Sequence, residues 1–426
     1  MNSYNSKKER DKINALIKKE TVPSLGCTEP IAVALAVTKA TELLGDIPET
    51  VNVILSTNII KNAMSVGIPG TRFVGLPYAI ALGVFAGNSS YNLEVLKDID
   101  QDSISAAKTF IADGRISINI SDNEKEKLYI EAICEKKGQK ARVIIAKDHT
   151  NFVHLSVNEN VIIDVQNQED IDDTDYPLTL KRIYDFALTS PIEEIEYMYN
   201  AGSMNQKAAE EALNENYGQG AAKSFKEYFN TDNIMVDMMS LTAAASEARM
   251  SGVKIPILSN SGSGNQGIGA NVPVITFAKH NKNSRDELIR ALILSNLTTI
   301  YIKQKVGRLS GLCGAVYASV GAACAITYLM GGNYEQIKLA SQNTIANITG
   351  MICDGAKPGC ALKLATGTST AMLSAILAME NRGVTPTEGI IDNDEDKSIH
   401  NLAEIGRTGM EQTDKLILQM MLKKTS

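Results

Sequence analysis

Lys127-Leu128-Tyr129-Ile130-Glu131-Ala132-Ile133-Cys134-Glu135 is followed by Ala141-Arg142-Val143-Ile144-Ile145-Ala146-Lys147 and then by Phe152-Val153-His154-Leu155-Ser156-Val157-Asn158. Short runs rich in β-branched and aromatic residues, separated by Asn, Asp and Gly turns, predict three consecutive strands. A further strand is expected over 115–120, and another over 50–56, where Val51, Val53 and Leu55 share one face. A helix over 93–112 precedes the main group of strands, so residues from about 91 to 165 read as a small α+β module. The acidic segment 166–175 reads as its exit linker.

Beyond Pro177 the strand signals nearly vanish. Helical periodicity covers 180–189, 192–200, 204–215, 220–229 and 232–250, and resumes at 285–305, 313–330, 333–349, 361–379 and 399–422. Upstream, an amphipathic helix over 6–19 is stopped by Thr21-Val22-Pro23, Pro30 starts a helix running to Leu44, and another helix covers 73–85. The expected fold class is α+β. An N-terminal mixed α/β domain (1–190) carries the inserted module (about 90–175), and a large all-α bundle domain (191–426) follows.

A chain of 426 residues exceeds one average domain, and 44% hydrophobic with 21% charged residues suits a globular protein with a large core. The net charge of −7, the lack of a long basic run and the absence of Trp argue against a nucleic-acid partner. The N-terminus carries no apolar signal segment, and the nearly uncharged stretch 314–330 is short for a bilayer span. A cytoplasmic protein with no membrane partner is therefore expected. In that setting six cysteines do not read as a disulfide framework; reduced thiols, catalysis or metal binding remain.

Three of those cysteines lie on glycine-rich turns: Gly311-Leu312-Cys313-Gly314 and Cys353-Asp354-Gly355-Ala356-Lys357-Pro358-Gly359-Cys360. Thiols in such settings read as ligands of an iron–sulfur cluster more readily than as core filler. Their spacing fits neither a zinc ribbon nor the dense Cys-x2-Cys runs of ferredoxins. A cubane held by three thiolates keeps one iron open as a Lewis acid. The plainer alternative is three unrelated buried thiols. Cys134 and Cys324 read as packing residues, and His149 and His154 as surface or half-buried strand residues.

Cys27 lies in Ser24-Leu25-Gly26-Cys27-Thr28-Glu29-Pro30, just before a helix N-terminus, where free amides and the macrodipole favour a thiolate. Thr28 or Glu29 would cap that helix. Asn62, Ser65 and the loop Gly67-Ile68-Pro69-Gly70-Thr71-Arg72 suggest a pocket for a small carboxylate, held by amides and the Arg72 guanidinium; a tight connection is the alternative. Ser261-Gly262-Ser263-Gly264-Asn265-Gln266-Gly267 contains G-x-G-x-x-G, but residues 268–273, ending in Pro273, are not expected to open a regular helix. A nicotinamide site is therefore not expected. A small polar ligand held by amides, Asn265 and Gln266 is favoured, with a purely structural turn as the alternative.

With these five motifs in this order, the chain resembles the iron–sulfur L-cysteine desulfidases and their uncharacterised bacterial relatives, distant kin of the iron–sulfur L-serine dehydratases. The resemblance covers nearly the whole chain. It implies a [4Fe–4S] cluster on Cys313, Cys353 and Cys360, Cys27 as catalytic base, and no pyridoxal phosphate. It further implies elimination of sulfide from L-cysteine to give pyruvate and ammonia, with the substrate thiolate on the open iron. Substrate contacts are expected from Thr28, Glu29, Asn62, Ser65, Gly70, Thr71, Arg72, Ser261, Asn265 and Gln266. A small amino acid is the expected partner, and a homo-oligomer is compatible with the sequence. Serine dehydration on the same cluster is one alternative. A non-enzymatic iron or redox sensor is another, though no helix-turn-helix beside a basic patch is evident.

Overall fold

The computed structural model describes residues 6–121, 127–165, 176–229, 232–307 and 309–423; the expected linker 166–175 lies outside them. The fold is mixed, with its main sheet in the N-terminal half and helices after it. The strands are β1 (Pro23–Leu25), β2 (Thr50–Leu55), β3 (Ile116–Ile120), β4 (Tyr129–Lys136), β5 (Gln139–Ala146), β6 (Phe152–Val157), β7 (Asn160–Asp164) and β8 (Pro256–Leu258).

Six of them form one sheet in the order β3-β2-β4-β5-β6-β7. β2 runs parallel to β3 and antiparallel to β4, so Val53 faces both Ile118 and Ala132 across the ladders. The strand before the expected module thus lies inside the same sheet as the module's own strands. Val51, Val53, Leu55, Ile130, Ala132, Val143 and Ile145 pack with the helices Thr28–Leu44 and Leu76–Phe85 in a single apolar cluster. The first of those helices is Ala/Val/Ile/Leu-rich on every face and buried along most of its length.

The helical part is built around the helix Gly314–Leu329, which touches Gly264–Asn281, Arg285–Val306, Tyr334–Ile348 and Cys360–Met379. Its small residues, Ala315 to Ala325, admit this crowding. The helix Cys360–Met379 is apolar and long enough to cross a membrane, yet it packs against Ile234–Met250, Gly314–Leu329 and Tyr334–Ile348 as a core helix does. The first helix, Lys7–Glu20, sends Ile13, Leu16 and Ile17 into this helical core and not into the sheet.

Several expected elements differ. Residues 268–273 lie inside a regular helix, Gly264–Asn281, with Pro273 in its interior. An interior proline costs about 3 kcal/mol. Burial of Ile268, Val272, Val274, Ile275 and Phe277, each at 4% exposure or less, outweighs that at about 1.5–3 kcal/mol per large side chain. The span expected as 192–200 and 204–215 is a short turn, Ile192–Ile195, and one helix, Tyr197–Leu213. The helix expected over 399–422 is broken by a π-helical turn at Ile405–Gly409, and that over 93–112 starts at Gln101, capped by Asp100. His149 and His154 are buried, at 3% and 6% exposure, not on the surface. Cys134 and Cys324 are fully buried, as expected of packing residues.

Candidate active site

The segments carrying Cys313 and Cys353 lie side by side through an antiparallel bridge between Leu312 and Ile352. Cys313 N donates to Met351 O at 3.0 Å and Cys353 N donates to Gly311 O at 2.8 Å. Cys313 caps the helix Gly314–Leu329, and Cys360 opens Cys360–Met379. Both thiols therefore sit beside helix N-termini, and all three cysteines of this group are partly buried. Burial, followed by the nearness of Cys353 and Cys360, pushes the Cys313 thiol up to about 12; burial also raises Cys360. The three sulfurs thus share one electrostatic environment. An all-sulfur, three-ligand set fits an iron–sulfur cluster better than a four-coordinate zinc site.

The loop between Cys353 and Cys360 is held by charge. Asp354 takes Lys357 at 2.6 Å and also pairs with Lys363, while Lys357 Nζ donates to the carbonyls of Asp354 and Gly355. Burial works to raise the Asp354 carboxyl, but the two lysines win and hold it at about 2. Gly355 has φ +88°, and a Cβ there would lie 2.4 Å from Lys61 O, so only glycine fits. Lys61, 2% exposed, donates to Asp414 at 2.7 Å and to Cys353 O at 3.3 Å. It ties the Cys353–Cys360 loop to the C-terminal helix Glu411–Leu422.

Cys27 arrives from the other end of the chain. β1 pairs antiparallel with β8, matching Ser24 with Ile257, and the ladder is extended by Ser259 N to Val22 O and Ser261 N to Glu20 O. This clasp sets Gly26-Cys27 beside the Ser261–Gly267 turn. Cys27 is the N-cap residue of Thr28–Leu44 and packs with Val66, Met250, Ala356 and Cys360. Its thiol donates to Glu29 Oε2 at 3.2 Å, and Asn62 Nδ2 donates to Glu29 Oε1 at 3.1 Å. Asn62 Oδ1 in turn lies 4.0 Å from Cys353 Sγ. The helix N-terminus was expected to favour a thiolate. Burial first, and then the Glu29 charge, instead push the Cys27 thiol well above its ordinary value.

Cys27, Glu29, Asn62, Cys313, Cys353 and Cys360 are therefore brought into one region, with Thr28 beside them. The loop expected to bind a carboxylate behaves differently. Arg72 and Ser65 are exposed. The Thr71 hydroxyl donates to Ile68 O and accepts from Phe73 N, closing its own turn. Gly70 N donates to Gly252 O, and Pro69 packs on Gly26, so this loop buttresses the Cys27 turn. Ser261 donates to Asn260 Oδ1, and Gln266 Nε2 to Asn260, within a buried amide network. Gln266 Oε1 has no partner and abuts Gly314. The glycines of the G-x-G-x-x-G serve packing: a Cβ on Gly267 would lie 2.0 Å from Leu258 O.

Two residues of the region went unnoticed in the sequence. Lys61 is one, held against Asp414 and the Cys353 carbonyl. Arg249, 4% exposed, lies on the helix Ile234–Met250 and reaches Asn265 Oδ1 at 3.2 Å and Thr28 Oγ1 at 3.5 Å. No spacing signal marks either; both are recognised by long-range contacts.

The chain is similar to known proteins along most of its length. The model of the serine dehydratase alpha chain family matches residues 90–419. A "UPF0597 protein" of Bacteroides thetaiotaomicron is 53% identical over 422 residues, covering 98% of each chain. One from Phocaeicola vulgatus is 54% identical over 426 residues, covering 98% of this chain and 99% of its own. One from Porphyromonas gingivalis is 44% identical over 427 residues, covering 97% and 99%.

Proposed function

The chain belongs to the serine dehydratase alpha chain family, and on that footing we propose that it is an iron–sulfur lyase that eliminates sulfide from L-cysteine. The family match supports an amino-acid dehydratase-like enzyme. The cluster-dependent elimination is supported by the gathering of Cys313, Cys353 and Cys360 around a region that also receives Cys27 and Glu29.

Cys313, Cys353 and Cys360 would hold a [4Fe–4S] cluster. When bound, it supplies an open Lewis-acidic iron that makes sulfide, or hydroxide, a better leaving group. The rest is the work of this chain's side chains. Cys27 takes the α-proton, and Glu29, already accepting the Cys27 S–H, takes the thiol proton in the same event. Asn62 fixes Glu29 through its amide. The apolar neighbours Val66 and Met250 limit water around Cys27. The Cα–H and Cβ–S bonds break, sulfide leaves, and the aminoacrylate tautomerises and hydrolyses to pyruvate and ammonia.

The family match itself points to L-serine as the second reading, with loss of hydroxide as water. Anaerobically purified, iron-loaded protein given each amino acid, with sulfide and pyruvate assayed, decides between them. Sulfide and pyruvate in equal amounts from L-cysteine support the proposal; pyruvate from L-serine alone moves the assignment to a dehydratase. No turnover of either by protein with an intact cluster points to a sensor.

A further inference from the structure

Buried cations are costly unless an anion accompanies them. Arg249 is 4% exposed, yet among the described residues no carboxylate lies within ion-pair distance of it. The carboxylates closest along the chain or in the site are committed elsewhere. Glu247 accepts the amides of Ala221 and Ala222, and Glu29 accepts from Cys27 and Asn62. The guanidinium meets only neutral oxygens, Asn265 Oδ1 and Thr28 Oγ1, and its Nε has no partner. Gly264 leaves room for it, since a Cβ there would sit 2.2 Å from that Nε.

Two helices also begin here. Thr28 is in the first turn of the 17-residue helix Thr28–Leu44, and Asn265 in that of the 18-residue helix Gly264–Asn281. Free amides and macrodipoles at both N-termini add positive potential around the guanidinium. The region is thus positively polarised, with a planar fork suited to a carboxylate and Cys27 one residue from Thr28.

Resting on the lyase reading above, we propose that Arg249, positioned by Asn265 and Thr28, anchors the α-carboxylate of the amino-acid substrate. The anchor fixes the amino acid at its carboxylate end, with the α-proton turned to Cys27. Arg72, exposed on its turn, takes no part.

The test uses the full iron-loaded chain and two probes without a β-leaving group: L-alanine, and L-alaninamide, which lacks the carboxylate. Calorimetry should show binding of L-alanine and not of L-alaninamide. Arg249→Gln should lose L-alanine affinity at least about tenfold, the scale of one charge-assisted hydrogen bond, with iron content unchanged. Arg249→Lys should recover part of it. Should Arg249→Gln fold poorly, Asn265→Asp supplies the missing counter-ion in place; it should raise the thermal midpoint and abolish L-alanine binding.

Wild-type affinity for L-alanine in Arg249→Gln or Asn265→Asp would overturn the proposal, as would equal binding of alanine and its amide, or binding of neither by the wild type. A lower kcat with unchanged KM and unchanged alanine binding would also overturn it, assigning Arg249 to the Cys27 charge alone. Arg249-dependent binding in a protein that turns over neither cysteine nor serine would sustain the carboxylate site and sink the lyase reading.

Discussion

The Cys27 thiol donates a hydrogen bond to Glu29 Oε2 at 3.2 Å, two residues further along the chain. A thiol so buried is a poor base alone, because burial and the neighbouring charge both favour its protonated form. Paired with a carboxylate that receives its proton, it becomes a workable one.

Glu29→Gln should therefore depress kcat by about 10²–10⁴, the range of a lost general base, while iron content and visible absorbance stay at wild-type levels. Steady-state kinetics on protein with matched iron content checks this. Undiminished turnover would remove Glu29 from the proton path.

Lys61 and Asp414 form a largely buried pair that also grips the Cys353 carbonyl. Asp414→Asn leaves an ammonium that is 2% exposed without its counter-charge, at a cost of about 3–5 kcal/mol. The expected outcome is a lower thermal midpoint and faster iron loss in air. The double variant Lys61→Met/Asp414→Leu should recover most of the stability.

Gly26 has φ +77°, and a Cβ there would lie 2.2 Å from Pro69 Cγ. The left-handed backbone alone costs an L-residue about 1–2 kcal/mol. Gly26→Ala should lower the thermal midpoint and, by displacing Cys27, reduce turnover with the iron content kept.

Arg72→Ala should be nearly silent in KM, within about 0.5 kcal/mol as for ordinary surface changes, because Arg72 is exposed and its turn is closed by Thr71. A large rise in KM would return the carboxylate to this loop.

How much was legible follows from what each feature depends on. The strands over 115–158 could be read because short apolar runs between turn residues are local signals. β7 could not: its apolar run is only Val161-Ile162-Ile163, closed in by Asn160 and Asp164. β1 and β8 are three residues each, and only their pairing across the chain gives them meaning. The helix from Gly264 was hidden by Gly267, Gly269 and Pro273, whose local preferences are overridden by burial on all sides. Cys27, Cys313, Cys353 and Cys360 stand out in the sequence by their glycine-containing turns. Arg249 carries no local signal, because an arginine inside a helical pattern reads as part of a solvated face. Its burial and its contact with Thr28, 221 residues away, are visible only in the fold.

In the proposed enzyme Cys313, Cys353 and Cys360 hold the cluster and Cys27 does not. Iron and acid-labile sulfide should be measured on anaerobically reconstituted wild type and on the four single Cys→Ser variants. The account predicts about four of each per chain in the wild type and in Cys27→Ser, and loss of the cluster in the other three. A full cluster in any of those three, or its loss in Cys27→Ser, would contradict it.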